Sequence, residues 1–246
     1  MKIITQLVIL TLSLLLVNGD QYCDNFLKQY ATFRNKCSLQ SLTITSCCDL
    51  RIVSTVSGVY KLNKGTFNSA DVYCDMNTTT GGWIVIQRNK NGSLLNFNKN
   101  WNDYEKGFGE LNTEFWYGLE SIHCLTQRGQ WEMRVDFQRN ERLGPMYLHY
   151  NHFSVGSASE EYSLTVGGYS GSIPSDHVLY YNGIKFSTFD NDNDQWGGNC
   201  AARDKSGNWH LKCRHVNLNQ QPPYVNPPGS ILFTEMKIHP KDCIIQ

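Results

Sequence analysis

The chain has 246 residues, and 22 Lys+Arg are balanced by 22 Asp+Glu, so its formal net charge is +0. That neutrality removes the electrostatic case for nucleic acid or an acidic membrane surface as partner. Thirteen tyrosines, eleven phenylalanines and six tryptophans supply an aromatic core for one large domain.

Lys2, an apolar stretch from Leu7 to Val17 and the small residue Gly19 read as a secretory signal peptide over residues 1–19. The apolar run is shorter than the roughly 20 residues that cross a bilayer, and no later segment is apolar enough, so no membrane span is expected. A secreted, extracellular protein is implied. Its nine cysteines then read as a disulfide framework, and their odd number leaves one thiol free or paired with another chain in a disulfide-linked homo-oligomer. Residues 20–46 form a polar lead-in carrying Cys23 and Cys37. Tyr22, Phe26, Tyr30 and Phe33 fall there at near-helical spacing. No collagen repeat and no sustained heptad accompanies them.

From residue 47 to 246 the pattern is that of a second region, with short strands separated by turn residues. Ser57–Leu62 and Val72–Met76 read as strands, with a brief helical turn over Asn68–Asp71 between them. Gly81-Gly82 launches a buried strand, Trp83–Arg88. Asn112-Thr113-Glu114 ahead of Phe115, Trp116, Leu119 and Ile122 predicts a capped amphipathic helix. Trp131–Phe137 alternates strictly, which puts Trp131, Met133, Val135 and Phe137 on one face, and Tyr162–Val166 repeats the pattern. Strands, a few helices and a loop-rich final third argue an α+β class with a central antiparallel sheet. Two sequons, at Asn77 and Asn91, fall on turns between predicted strands and mark the chain as a glycoprotein.

Near the end of the chain, Asp190-Asn191-Asp192-Asn193-Asp194 places five oxygen-bearing side chains in a row. Unpaired carboxylates do not enter a core, so this run is a solvated acidic loop or the oxygen cage of a hard cation such as calcium. It is not an EF-hand. Counting from Asp190, that loop requires glycine sixth and glutamate twelfth, where Gln195 and Ala201 stand. Catalytic motifs are equally missing: no Gly-x-Ser-x-Gly, His-Glu-x-x-His or phosphate-binding glycine loop occurs. The seven histidines are scattered, and His123, His149 and His152 read as core or surface residues. An enzyme is not expected.

Taken in order, Ser57–Tyr60, Val72–Met76, Gly81–Arg88, Gly107–Leu111, Glu114–Trp116, Arg134–Asp136, Val166–Gly171, Phe186–Thr188, Asn199–Ala201 and Thr234–Ile238 form a series. The series resembles the fibrinogen C-terminal globular domain of fibrinogen chains, ficolins, tachylectins, tenascins and angiopoietins. The resemblance implies that fold, with a loop-rich C-terminal calcium-binding subdomain. It implies calcium ligation by the Asp192 and Asp194 side chains and the Trp196 and Gly198 carbonyls, leaving Asp190 a supporting or capping residue. Gly197-Gly198 suits such a loop, because glycine lets the backbone turn carbonyls toward an ion.

The resemblance also implies disulfides Cys200–Cys213 and Cys48–Cys74. Cys47 is a rival to Cys48, which is preferred because Cys48-Asp49-Leu50 fits the family's opening. Cys124 and Cys243 have no counterpart, and Cys23–Cys37 is an additional candidate bridge. Lectin-type members take an acetyl group beside the calcium loop. Carried over by position, that ligand pocket would comprise Arg203, Asp204, Trp209, Lys212, Cys213, Arg214 and Tyr224, with a cis peptide at Lys212–Cys213. Here the chain departs from the pattern: Arg214 stands where the family has histidine, with His215 next along. Residues 220–230 are proline-rich, and the aromatic run that normally walls the pocket is missing. Two functions follow. One is a calcium-binding, lectin-like protein of innate immunity recognising carbohydrate or acetylated surfaces. The other is an adhesion, extracellular matrix or receptor-ligand module acting on an extracellular protein.

Overall fold

The computed structural model describes residues 46–63, 69–92, 94–127, 129–139, 144–174, 176, 178–213, 216–225 and 231–243. The chain divides into two units, Met1–Thr43 and Ile44–Gln246, and every described residue belongs to the second. The expected signal peptide, most of the lead-in, Cys23 and Cys37 lie outside the described residues.

The elements run α1 (Cys47–Leu50), β1 (Gly58–Asn63), β2 (Ser69–Asp75), β3 (Trp83–Lys90), α2 (Trp101–Lys106), β4 (Phe108–Gly109), β5 (Phe115–Trp116), α3 (Leu119–Thr126), β6 (Trp131–Gln138), β7 (Met146–Val155), β8 (Leu164–Gly171), α4 (Cys200–Asp204), β9 (Val216–Asn217), β10 (Tyr224–Val225) and β11 (Phe233–Pro240). The main sheet has the order β1-β2-β3-β11-β6-β7-β8, with β5 joined to β3 and β4 to β5; β9 and β10 pair separately. Its strand pairs are antiparallel throughout. The α+β class and central antiparallel sheet are as expected.

The final strand, β11, completes the middle of the sheet. Glu235 faces Arg88 of β3 and Asp136 of β6. Met236 and Ile238 point into the core with Met133, Val135 and Phe137. The opposite face of β11 carries a sealed charge network. Lys237 Nζ lies 2.6 Å from Asp75 Oδ2 and 2.8 Å from both Glu235 Oε1 and Asp136 Oδ2. Arg88 Nε meets Glu235 Oε2 at 2.6 Å. A buried cation is tolerated only with such partners, so this network locks β2, β3, β6 and β11 into one register.

Two local expectations are corrected. Phe115 and Trp116 form β5, and the helix begins later, at Leu119. Gly118, with φ +99°, precedes it without a side-chain cap. A Cβ on Gly118 would lie 2.7 Å from the Lys106 carbonyl oxygen, so close backbone packing requires glycine there. Likewise Ser69–Asp71 is the start of β2, paired with β1, and no helical turn. The alternation of β6 is as read: Trp131, Met133, Val135 and Phe137 are buried, and the residues between them half-buried. Tyr162 is buried but stands before β8, at φ +49°.

The covalent frame also differs. Ser46 and Asp49 form a capping box that starts α1, each accepting from the other's backbone N–H, at 3.2 and 2.9 Å. Successive positions on a helix are about 100° apart, so Cys47 and Cys48 reach different elements. Cys47 joins Cys74 of β2, and Cys48 joins Cys243, just past β11. The expected Cys48–Cys74 pair is therefore replaced. Cys200–Cys213 is present as the resemblance implies. Cys124 lies exposed on α3, its thiol 3.6 Å from Glu120 Oε1.

Candidate functional site

The loop that carries the acidic run is moored by aromatic packing. Phe186, fully buried, contacts Tyr104 of α2, Trp116 of β5 and Trp209, with ring centroids 5.2, 5.7 and 5.1 Å away. Beyond Phe186 the backbone bridges Ser187 to Asn208 and then folds back on itself, Thr188 to Asn191. Asn193 turns inward, its Nδ2 donating to the Phe186 carbonyl at 2.8 Å and its N–H to Ser187 Oγ at 3.0 Å. Asn199 closes the loop. Its Nδ2 donates to the carbonyls of Thr188 and Phe189, and its Oδ1 caps α4 by accepting from Ala202 N–H at 2.7 Å.

The three aspartates thereby take different roles. Asp190 Oδ1 accepts from Thr188 Oγ1 at 2.7 Å and from the N–H of Trp101, the first residue of α2, at 2.9 Å. It braces the loop to a helix start, where a carboxylate also complements the helix dipole. Asp194 accepts from Trp196 N–H through Oδ1 at 2.7 Å and from Cys200 N–H through Oδ2 at 2.8 Å. Asp192 is exposed, and its Oδ1 accepts from Asp194 N–H at 3.2 Å. Desolvation, reinforced by the neighbouring Asp194 carboxylate, raises the Asp192 carboxyl above the usual carboxylate range. Trp196 folds its ring over Gly198, where a Cβ would meet it at 2.9 Å, so a larger residue there would displace the exposed ring.

The Asp192 and Asp194 carboxylates interact with each other, and carboxylate oxygen is the donor type a hard cation takes. Each Asp194 oxygen keeps a lone pair beyond the backbone N–H it accepts.

Of the residues expected to build an acetyl pocket, Arg203 and Asp204 pair with each other, while Trp209 and Tyr224 pack elsewhere. Trp209 is a core residue, 4% exposed, packed on Phe186 and Trp116 with its Nε1 donating to the Tyr162 carbonyl at 2.8 Å. It offers no ligand surface, in contrast to the sequence expectation. Asp204 is buried and takes both Nε and Nη2 of Arg203, at 2.7 and 3.0 Å. The Arg203 guanidinium also lies over the Trp196 ring, 5.4 Å from its centroid. Lys212 is exposed, and Cys213 is buried at φ +57°. The expected cis bond between them is absent, and among the described residues only Gln221–Pro222 is cis. Tyr224 is half-buried in β10 opposite Asn217. Arg214 lies outside the described residues.

What the structure does assemble beside the loop is Trp196, Arg203 and Asp204. Sequence reading missed His210, buried behind this group, whose imidazole desolvation holds below its ordinary pKa. It also missed Asn199 as the cap of α4, although an Asn directly before Cys200-Ala201-Ala202 was the available signal. Asn77 and Asn91 are exposed on turns after β2 and β3.

The chain matches the family described as fibrinogen beta and gamma chains, C-terminal globular domain, over residues 46–230. It belongs to that family. Fibrinogen-like protein A of Apostichopus parvimensis is 44% identical over 172 residues, covering 68% of this chain and 60% of the relative. Tenascin-R of Gallus gallus is 42% identical over 67% of this chain. The chain spans only 60% and 12% of those two relatives' lengths. Among solved structures, the fibrinogen-like globe domain of human ANGPTL6 superposes with TM-score 0.74 at 34% identity, covering 79% of this chain and 94% of that domain. The lamprey fibrin D-dimer complexed with the peptide Gly-His-Arg-Pro-amide superposes with TM-score 0.69 at 26% identity, covering 97% and 89%. Among the described residues no helix is long and apolar enough to cross a membrane.

Proposed function

We propose that this fibrinogen-related chain is a secreted, extracellular recognition module that binds calcium in the Asp192–Gly198 loop and engages a protein ligand on the face beside it. The observation that carries the protein-ligand reading is the burial of Trp209 together with the pairing of Arg203 and Asp204. These count against an acetyl pocket, whereas Phe189 and Trp196 stand 44% and 45% exposed at the loop surface. Exposed aromatics of this kind are common anchors of protein interfaces. In this reading Asp192 and Asp194 supply the side-chain ligands and Trp196 and Gly198 their carbonyls. With only two carboxylates, the affinity falls toward the about 10⁻⁴–10⁻³ M of extracellular modules. The peptide-bound lamprey relative and the tenascin relatives support a protein partner in an extracellular matrix setting.

A lectin-like reading, with carbohydrate or acetylated ligands, draws on one feature: the exposed part of the Trp196 ring is also a surface on which a sugar ring can lie. Paired arrays of glycans and of extracellular matrix proteins, probed with calcium and with chelator, separate the two. Calcium-dependent protein binding that Trp196→Ala removes is the expected outcome. Calcium-dependent binding to glycans alone overturns the protein reading in favour of the lectin one.

A further inference from the structure

The three disulfides are unequally protected. Cys47, Cys74 and Cys200 are 0% exposed and Cys213 is 4% exposed. Cys48 and Cys243 are only half-buried. Their bond also has a cation beside it: Arg51, directly after α1, reaches across Gly82 and ends with Nη1 3.5 Å from Cys243 Sγ. A Cβ on Gly82 would come within 2.8 Å of the Arg51 Cδ, so the glycine, at φ +83°, clears the path. A ring nitrogen of His239 lies within 4.8 Å of both sulfurs. That imidazole packs on Trp83, centroids 5.0 Å apart, with Glu132 Oε1 3.0 Å from its Nδ1. The turn after Arg51 exposes Ile52 and Val53 at 71% and 64%.

Thiol exchange is fastest at a disulfide with one sulfur open to attack and the other leaving as a stabilised thiolate. We propose that Cys48–Cys243 is a thiol-exchange site of this fold, opened by a protein dithiol that seats on the apolar turn at Ile52 and Val53. The partner's thiolate attacks Cys48 Sγ, forming a mixed disulfide, and the electron pair of the broken bond leaves on Cys243 Sγ, beside Arg51. The partner's second thiolate then attacks its own sulfur in the mixed disulfide and releases Cys48. Two electrons pass from the dithiol to the cystine, the partner becomes a disulfide, and two protons end on Cys48 and Cys243. The covalent tie between α1 and the end of β11, across a sequence separation of 195, is thereby opened.

The test is timed alkylation of the folded full chain in a thioredoxin-type dithiol protein, read peptide by peptide by mass spectrometry. Cys48 and Cys243 are expected to become alkylated about tenfold faster than Cys200 and Cys213. Arg51→Gln is expected to slow that opening about threefold or more, and Arg51→Lys to restore it. Equal opening rates for Cys48–Cys243 and Cys200–Cys213, or an unchanged rate in Arg51→Gln, would overturn the assignment. A partner variant with only its attacking cysteine should be captured on Cys48, and capture on Cys243 would overturn the stated direction. Glutathione at equal thiolate concentration should open the bond more slowly; equal rates would overturn the protein-dithiol partner.

Discussion

Asp190 and Asp192 carry the same side chain two residues apart, yet their partners make them separable by experiment. Asp190 satisfies the first N–H of α2 and the Thr188 hydroxyl. Asp190→Ala should therefore cost about 1 kcal/mol, the usual loss for a helix-capping acceptor, whether or not calcium is present. Asp192 accepts a single exposed N–H. Asp192→Ala should leave the melting temperature in chelator nearly unchanged and remove the rise produced by calcium. Asp194→Ala should lower both, because it strands the N–H groups of Trp196 and Cys200 as well. Thermal melts of the three variants, each with calcium and with chelator, check the pattern. An equal loss of the calcium response in all three would show that loop order, and not ligation by Asp192, governs it. In sequence the five oxygen-bearing residues look alike, and what sorts them is partly remote, since Trp101 precedes Asp190 by 89 positions. Trp209 misled for a similar reason. Its burial depends on Phe186 and Trp116, and an aromatic in a polar stretch carries no mark of that packing.

At the scale of elements, the strands were readable, the glycine-launched start of β3 at Trp83 included, whereas the start of α3 was not. The alternation in β6 stands as read because one of its faces packs on the core. The α3 start was placed too early because Asn112-Thr113-Glu114 carries capping chemistry, whereas the real boundary depends on the backbone at Gly118. In β11 the residues alternate, but both faces are buried, and the charged one holds Lys237 among three carboxylates. Burial works against ionisation of Asp75, yet the charge and hydrogen bond of Lys237 outweigh it and bring the carboxyl down to about 2. A folded pKa below the unfolded value of about 3.9 means stabilisation that is complete above that value and lost as pH falls toward 2. Acid melts should therefore show this part of the stability disappearing between about pH 4 and pH 2. Lys237→Met should cost about 3–5 kcal/mol at neutral pH, the usual penalty for stranding buried charge. With the cation gone, burial is left to raise the Asp75 carboxyl above its unfolded value, and the sign reverses at that group. The deficit of the variant against the parent should then shrink as pH falls from 7 to 4. A deficit that stays constant over that range would show that Lys237 acts by packing alone.

Taken whole, the molecule is closed by its last segment: β11 fills the gap between β3 and β6, and Cys243 just beyond it is tied to Cys48 at the start of the domain. The strand pattern made the central sheet legible and the family resemblance named its fold, but both left this closure unread, because two adjacent cysteines on one helical turn differ only in direction. That direction emerges once the capping box sets the phase of α1. The tie spans a separation of 195 residues, so in the chain-entropy view it restricts the unfolded chain strongly. The double variant Cys48→Ser with Cys243→Ser should lose about 2–5 kcal/mol in denaturant unfolding, read as a lower midpoint. The acidic loop is moored separately, by Cys200–Cys213 and by Phe186 against Tyr104, Trp116 and Trp209. The variant should accordingly keep the same calcium-induced rise in melting temperature as the parent chain. If that rise vanished with the tie, the loop and the sheet would form a single cooperative unit, and the aromatic mooring would not suffice to hold the cation site.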